Sequence, residues 1–313
     1  MSPIPTEQAG TYEVEVCEQG EADLHKHYSG CKKNPGHAQF LPLHSLSTKF
    51  LPERYANEEI LNLINILAKL TVMLKVKYTS HTRPEFTHGT DIPYPFYKLR
   101  GSDVLRIGTG TILGVSNDNT LADTVCSCSE CTESEAPKYS WGKLHVLTAT
   151  HLVFNDDEAL KTSCVYGFNS SCSEQATLKG LKILRKNIEE DSCILLCVTH
   201  DTEFVENVRK IVNEFDKLSK ELHKRYLEYR NVDKLALIVS HPHGCPKQLS
   251  VGQWIQKVQH SADKTRYTYT TCTCPGSSGA LVYTLGWWNW CFDHVHSGCN
   301  GEVNYSSVGL DKT

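Results

Sequence analysis

The feature that most restricts this chain is a change of texture at Gly101. Beyond it the sequence breaks into short runs rich in β-branched residues, separated by turn residues, which is strand patterning. Runs at 103–115, 142–149, 161–167, 177–187 and 192–198 form one group, and runs at 234–240, 248–259, 266–273, 279–284, 289–296 and 303–308 form another. Between the groups, Val205, Val208, Val212, Phe215, Leu218, Leu222 and Tyr226 share one stripe of a helix over 203–229, with charges elsewhere. Two groups of five or six short strands predict two small barrels or sandwiches, here split by one helix.

Upstream of Gly101 the patterning differs. Residues 1 to about 50 are mixed polar with no sustained period and read as an irregular extension. Ile60, Leu61, Ile64, Leu67 and Leu70 keep helical spacing, which predicts an amphipathic helix from Asn57 to about Lys75. The Pro-, Thr- and His-rich segment up to Tyr97 reads as a loop wrapped over another part of the chain. The expected organisation is therefore an extension over 1–100, a barrel over 101–200, a helical insert over 201–231 and a second barrel over 232–313.

Composition excludes little but is useful. A formal charge of −4 gives no electrostatic reason to expect nucleic acid, and the basic run Lys182, Arg185, Lys186 reads as a solvated strand face. The longest apolar stretch, Ile60 to Val76, is interrupted by Asn62, Asn65, Lys69 and Lys75, so no membrane span is expected. Met1 to Tyr12 has neither the basic nor the apolar region of a secretory signal, so the cytoplasm is the expected compartment. The fourteen cysteines then read as thiols, although export by another route would allow a disulfide set.

Three segments carry candidate chemistry. In Cys274-Pro275-Gly276-Ser277-Ser278-Gly279-Ala280, glycines flank a serine at the head of an apolar strand. Such a turn suits a nucleophile, because the Gly276 and Ser278 N–H groups can converge on one oxyanion. Alone, the motif is weak and reads more readily as a bare turn. Val146-Leu147-Thr148-Ala149-Thr150-His151 delivers a histidine at a strand tip, and Asp191 opens the apolar run Ser192 to Val198. An acid there can hold the imidazole Nδ1–H, although a capping role is the plainer reading. Glu189, Glu190 and Asp201 open no such strand. Together the three segments give a base, an orienting acid and a nucleophile, in one of the known chain orders.

With these motifs the chain resembles the chymotrypsin-like serine peptidases. His151 matches the base of their Thr-Ala-Ala-His motif, Asp191 the acid of Asp-x-Ala-Leu-Leu, and Ser278 the serine of Gly-Asp-Ser-Gly-Gly. Ile238-Val239-Ser240-His241-Pro242-His243-Gly244, followed by Leu249-Ser250-Val251-Gly252, is similar to a hairpin of the HtrA-type and glutamyl endopeptidase branch. The resemblance covers about residues 101 to 310. It implies a mostly β fold of two six-stranded antiparallel barrels acting on polypeptides without a cofactor. Ser277 stands where zymogen-activated members carry Asp, so activation by an inserted N-terminus is not expected. No cysteine flanks His151 to make a common family disulfide, while Cys274 and Cys299 could approximate another or stay reduced.

Specificity follows from the same comparison. Cys272 occupies the position where members that cut after Arg or Lys carry an acid. Thr273 and His296 fall where glutamyl endopeptidases hold an acidic side chain, which implies cleavage after Glu or Asp, unless His296 merely packs on its strand. Two other readings stay open: a catalytically silent protease fold used as a binding module, and a metal-stabilised regulatory protein. The latter draws on Cys126, Cys128 and Cys131, which could bind zinc with Cys164, Cys172 or a histidine. Trp287, Trp288 and Trp290 are candidate peptide anchors or barrel packing.

Overall fold

Asn57, Asp201 and Asn155 each place a side-chain oxygen on an N–H three residues ahead, and each thereby starts a helix. These helices are α2 (Glu58–Leu70), α5 (Thr202–Tyr226) and α4 (Asp156–Leu160). The remaining helices are α1 (Leu24–Ser29) and the single turn α3 (Ser129–Thr132). The computed structural model describes residues 11–116, 125–287, 294–301 and 303–310. Trp288, Trp290 and most of the strand expected at 289–296 lie outside the described residues.

Everything else is built on antiparallel strands. The extension contributes β1 (Thr11–Tyr12), β2 (Glu15–Cys17) and β3 (Phe40–Pro42). The first barrel is β4 (Thr71–Val76), β5 (Leu105–Val115), β6 (Gly142–Thr148), β7 (Thr162–Tyr166), β8 (Ala176–Asn187) and β9 (Ser192–Thr199). Their order β5-β4-β7-β8-β9-β6 closes through β6 pairing back onto β5. The second is β10 (Leu235–Ser240), β11 (Gln248–Ser261), β12 (Lys264–Tyr269), β13 (Val282–Thr284), β14 (His296–Asn300) and β15 (Val303–Leu310). Its order β14-β15-β12-β11-β10-β13 closes through the Leu281–Val295 bridge. The fold is mostly β, in two barrels, as the strand patterning required.

Two expectations need correction. The helix expected to reach Lys75 stops at Leu70, and the chain enters β4 without a loop. Thr71 donates its hydroxyl to the Leu67 carbonyl (2.9 Å), and the run from Thr71 to Val76 supplies the strand missing from the first group. Nor is the extension irregular throughout: β2 pairs with β5, β3 with β11, and β1 with β14. It lies along both barrels. The insert α5 also touches both barrels, with Val205 against Gly142 and Phe215 edge-on to Tyr283. Among the described residues no helix is long and apolar enough to cross a membrane.

Candidate active site

The pairing of Thr148 with Cys193 puts the end of β6 beside the start of β9. The turn after β6 carries His151, and the residue before β9 is Asp191, held in the left-handed region at φ +57°. The Asp191 carboxylate accepts the backbone N–H of His151 at 2.8 Å and lies 2.8 Å from its Nδ1. With Nδ1 donating to the carboxylate, Nε2 presents a lone pair, and it has no hydrogen-bond partner among the described residues. Thr150 ties the turn to the Asn187 carbonyl (2.9 Å) and Arg83 holds the His151 carbonyl (2.8 Å).

Ser278 comes from the other barrel. Gly276 and Gly279 flank it at φ +95° and +85°. A Cβ on Gly279 would lie 2.1 Å from Thr148 Oγ1, and one on Gly276 would lie 2.5 Å from the His241 carbonyl, so both positions require glycine. Thr109 clamps the turn across the barrels, its N–H donating to the Ser278 carbonyl and its hydroxyl to that of Gly276. The Pro275 carbonyl is turned away, accepting the His243 N–H. Among the described residues neither the Gly276 nor the Ser278 N–H donates to another group. Ser277 is already satisfied, bonded to Ser240 Oγ (3.0 Å) and accepting the Cys274 N–H (3.2 Å).

A strand of the chain itself lies between the two halves. Thr11 pairs with Cys299 and Tyr12 with Gly298, and the Glu13 N–H donates to the Ser297 carbonyl (3.0 Å). The Tyr12 ring packs on the His151 imidazole, with centroids 5.0 Å apart. The next residue, Glu13, accepts the Ser278 hydroxyl on its backbone carbonyl. Consecutive residues of one strand therefore touch His151 and Ser278, but these two side chains are not hydrogen-bonded to each other: Glu13 takes the Ser278 hydroxyl, and His151 Nε2 has no partner among the described residues.

The Glu13 side chain meets His296, one of the two residues expected to recognise an acid. His296 Nε2 is 2.5 Å from Glu13 Oε2, while its Nδ1 is 2.7 Å from the Tyr269 hydroxyl. Thr273 lies one step further out, accepting from Lys33. Lys33 Nζ donates to Glu13 Oε1 (2.6 Å), Thr273 Oγ1 (2.9 Å) and Asn304 Oδ1 (2.8 Å), which uses all three of its donors. Burial alone would raise the Glu13 carboxyl, but His296 and Lys33 hold it down at about 2. Burial lowers the His296 pKa despite the Glu13 carboxylate beside it. Lys33 and Asn304 were invisible in the sequence, because only the folded extension and β15 bring them to residues 13 and 273.

Three further donor sets lie among the described residues, one of them Glu15, Cys17 and His27. Cys31, His37, His243 and Cys274 each offer a ligand atom, and these atoms all fall within 4.8 Å of one another; Cys126, Cys128, Cys131 and His200 do the same. The fourth member of the expected thiol loop is thus His200. Cys164 is instead 3.4 Å from Cys197 Sγ, and Cys172 is exposed. Cys274 faces Cys31 at 3.6 Å, and both it and Cys299 are free thiols.

No family model matches the chain, and no curated protein matches it. Several solved structures overlap it in part. The HtrA-type protease AlgW with a decapeptide is 9% identical, covering 79% of this chain and 62% of that one, at a TM-score of 0.39. Deg5 is 11% identical (82% and 90% covered, TM-score 0.43), and the active form of the Rv3671c protease from M. tuberculosis is 10% identical (81% and 82%, TM-score 0.40). The chain thus spans less than two thirds of the AlgW length.

Proposed function

We propose that this chain is a serine endopeptidase that cuts on the carboxyl side of acidic residues. Ser278 is the nucleophile, His151 the base and Asp191 its orienting acid. The observation that carries the reading is the free Nε2 of an Asp191-bound His151, facing a strand whose next carbonyl takes the Ser278 hydroxyl.

The chemistry follows from the donors. As Ser278 Oγ attacks a peptide carbonyl, its proton passes to His151 Nε2, and Asp191 stabilises the imidazolium. Negative charge on the former carbonyl oxygen meets the Gly276 and Ser278 N–H groups, which no other acceptor occupies. His151 then gives the proton to the leaving amine, and water reverses the sequence to free the acid. Lys33 and His296 favour a carboxylate ahead of the cut bond, since both bond the Glu13 carboxylate, while Thr273 and Asn304 hold the Lys33 ammonium in place.

A fluorophosphonate probe tests the nucleophile. Ser278 should be labelled in the Glu13→Ala variant, whose cleft is relieved of its carboxylate, and labelling should vanish with Ser278→Ala or His151→Ala. Among peptides differing only at the residue before the cut, Glu should lead. Folded protein that never takes the probe would leave a binding module as the better description.

A further inference from the structure

Resting on that peptidase reading, we infer that the chain is its own first substrate and cuts the bond between Glu13 and Val14. Residues 11–13 lie in the cleft as an added antiparallel strand on β14, which is how an extended peptide is held by backbone pairing. Glu13 fills the acid pocket, and its carbonyl meets the Ser278 hydroxyl. Immediately beyond, Glu15 pairs with Ile107 as β2 joins the first barrel. The chain therefore crosses from one barrel to the other between Tyr12 and Glu15, and the bond after Glu13 straddles the cleft.

The reaction needs only water. Ser278 Oγ forms an ester with the Glu13 carbonyl carbon as the C–N bond to Val14 breaks, and the hydroxyl proton travels through His151 to the Val14 nitrogen. Water then attacks the ester, its proton returns through His151 to Ser278 Oγ, and Glu13 leaves as a carboxylate. Val14 stays in place, because Glu15 is bonded to His27 and to His243 Nδ1 (2.7 Å) and β2 remains paired. Everything up to Glu13 loses its covalent tether. Until that moment the strand also covers Ser278 and His151 against other substrates, so the uncut chain is self-inhibited.

Intact mass and N-terminal sequencing of the full chain test this, beside hydrolysis of added Thr-Tyr-Glu-Val-Glu-Val peptide. Wild type should convert to a chain beginning at Val14 at a rate independent of protein concentration, with activity on the peptide rising in step. Ser278→Ala should stay whole, and Glu13→Gln should slow conversion roughly 10- to 100-fold by removing the charge that Lys33 answers. If wild type cleaves the peptide while its own bond stays intact, or is cut elsewhere, self-cleavage is wrong and the peptidase stands. If it cleaves neither and resists the probe in the Glu13→Ala form as well, both readings fail together.

Separate atoms carry a second proposal: the two cysteine–histidine sets are tetrahedral sites for a zinc-class divalent cation. Among the described residues the Nε2 atoms of His37 and His243 are buried without a hydrogen-bond partner, in residues each only 4% exposed. His243 turns its Nδ1 to the Glu15 carboxylate, the arrangement that aims the opposite nitrogen at a metal. Cys31 and Cys274 stand 3.6 Å apart, too far for a disulfide and suited to neighbouring thiolate ligands. In the other set, His200 Nε2 lies 3.4 Å from Cys131 Sγ and 3.7 Å from Cys128 Sγ, with Cys126 and Cys128 fully buried. The first site would fasten the extension to the second barrel, and the second site would fasten a loop to the end of β9.

Metal analysis of protein purified without added zinc should find two equivalents per chain, and one in either Cys31→Ser or Cys126→Ser. Cobalt(II) exchanged into the protein should give thiolate charge-transfer bands that halve in each variant. A single equivalent, lost with only one of these variants, removes the claim for the other set. Metal-free protein that takes up no cobalt, or a Cys31–Cys274 disulfide found by mass, overturns the corresponding site.

Discussion

Glu158 is a fully buried carboxylate that no local sequence pattern announces. Arg83 grips it with two bonds of 2.7 Å, Arg106 lies at 3.0 Å, and the Ser80 and Phe154 N–H groups complete its acceptors at 2.9 Å each. The same guanidinium groups hold the carbonyls of His151 and Leu152, so this carboxylate indirectly fixes the turn that carries His151. Burial would raise its pKa, but the two arginines bring it down to about 2. A carboxyl depressed on folding stabilises fully above its unfolded value of 4.5, and that stabilisation is lost as pH falls toward 2. Glu158→Gln should therefore cost about 3–5 kcal/mol at neutral pH, leaving two buried cations short of a partner. Its urea midpoint should also fall less steeply than wild type below pH 4.5; parallel slopes would show that Glu158 is not the titrating group. The contrast with the cleft explains what could be read in advance. His151, Asp191 and Ser278 each mark a strand end, and strand ends are visible in one dimension. Arg83, Glu158, Lys33 and Asn304 act through contacts dozens to hundreds of positions away, which no local pattern encodes.

Among the elements, α5 was the easiest to read and its role the hardest. Its apolar stripe is long enough to define the helix, and Asp201 caps it through the Phe204 N–H (2.8 Å). What the stripe covers depends on topology. Val205 packs at β6 of the first barrel, whereas Phe215 and Ser219 meet Tyr283, and His223 meets the Gly286 carbonyl (2.9 Å), all in the second. The helix is a brace across both barrels. Phe215→Ala should thus destabilise by about 3–5 kcal/mol, measured in denaturant, because a buried ring leaves a cavity. The rate of peptide cleavage at saturation should hardly change, since Phe215 lies on the brace and outside the cleft. A large loss of turnover at unchanged stability would instead place α5 in the catalytic machinery. The extension shows the opposite failure of sequence reading. Strands of two or three residues such as β1 and β3 are too short for a periodic signal, and they form because a barrel edge awaits them.

At the scale of the whole molecule, two barrels would ordinarily suggest two units that unfold in turn. The packing argues otherwise. One continuous apolar core runs from Ile60, Ile64 and Leu67 of α2, through Val146 and Leu195 of the first barrel, to Leu237, Val239, Leu281 and Val295 of the second. The cleft adds cross-barrel bonds from Thr109 to Ser278, Gly276 and His241, and the extension binds β5, β11 and β14 at once. Neither barrel can open without exposing the other's half of that core, at about 25 cal/mol for every Å² of apolar surface uncovered. Heating the Ser278→Ala chain, which lacks the proposed nucleophile, should therefore give a single calorimetric transition whose van't Hoff and calorimetric enthalpies agree. Two separated peaks would mean that the shared core contributes less than each barrel's own. The proposed catalytic pair would then be divided between independently melting halves, and His151 and Ser278 would part before either barrel lost its strands.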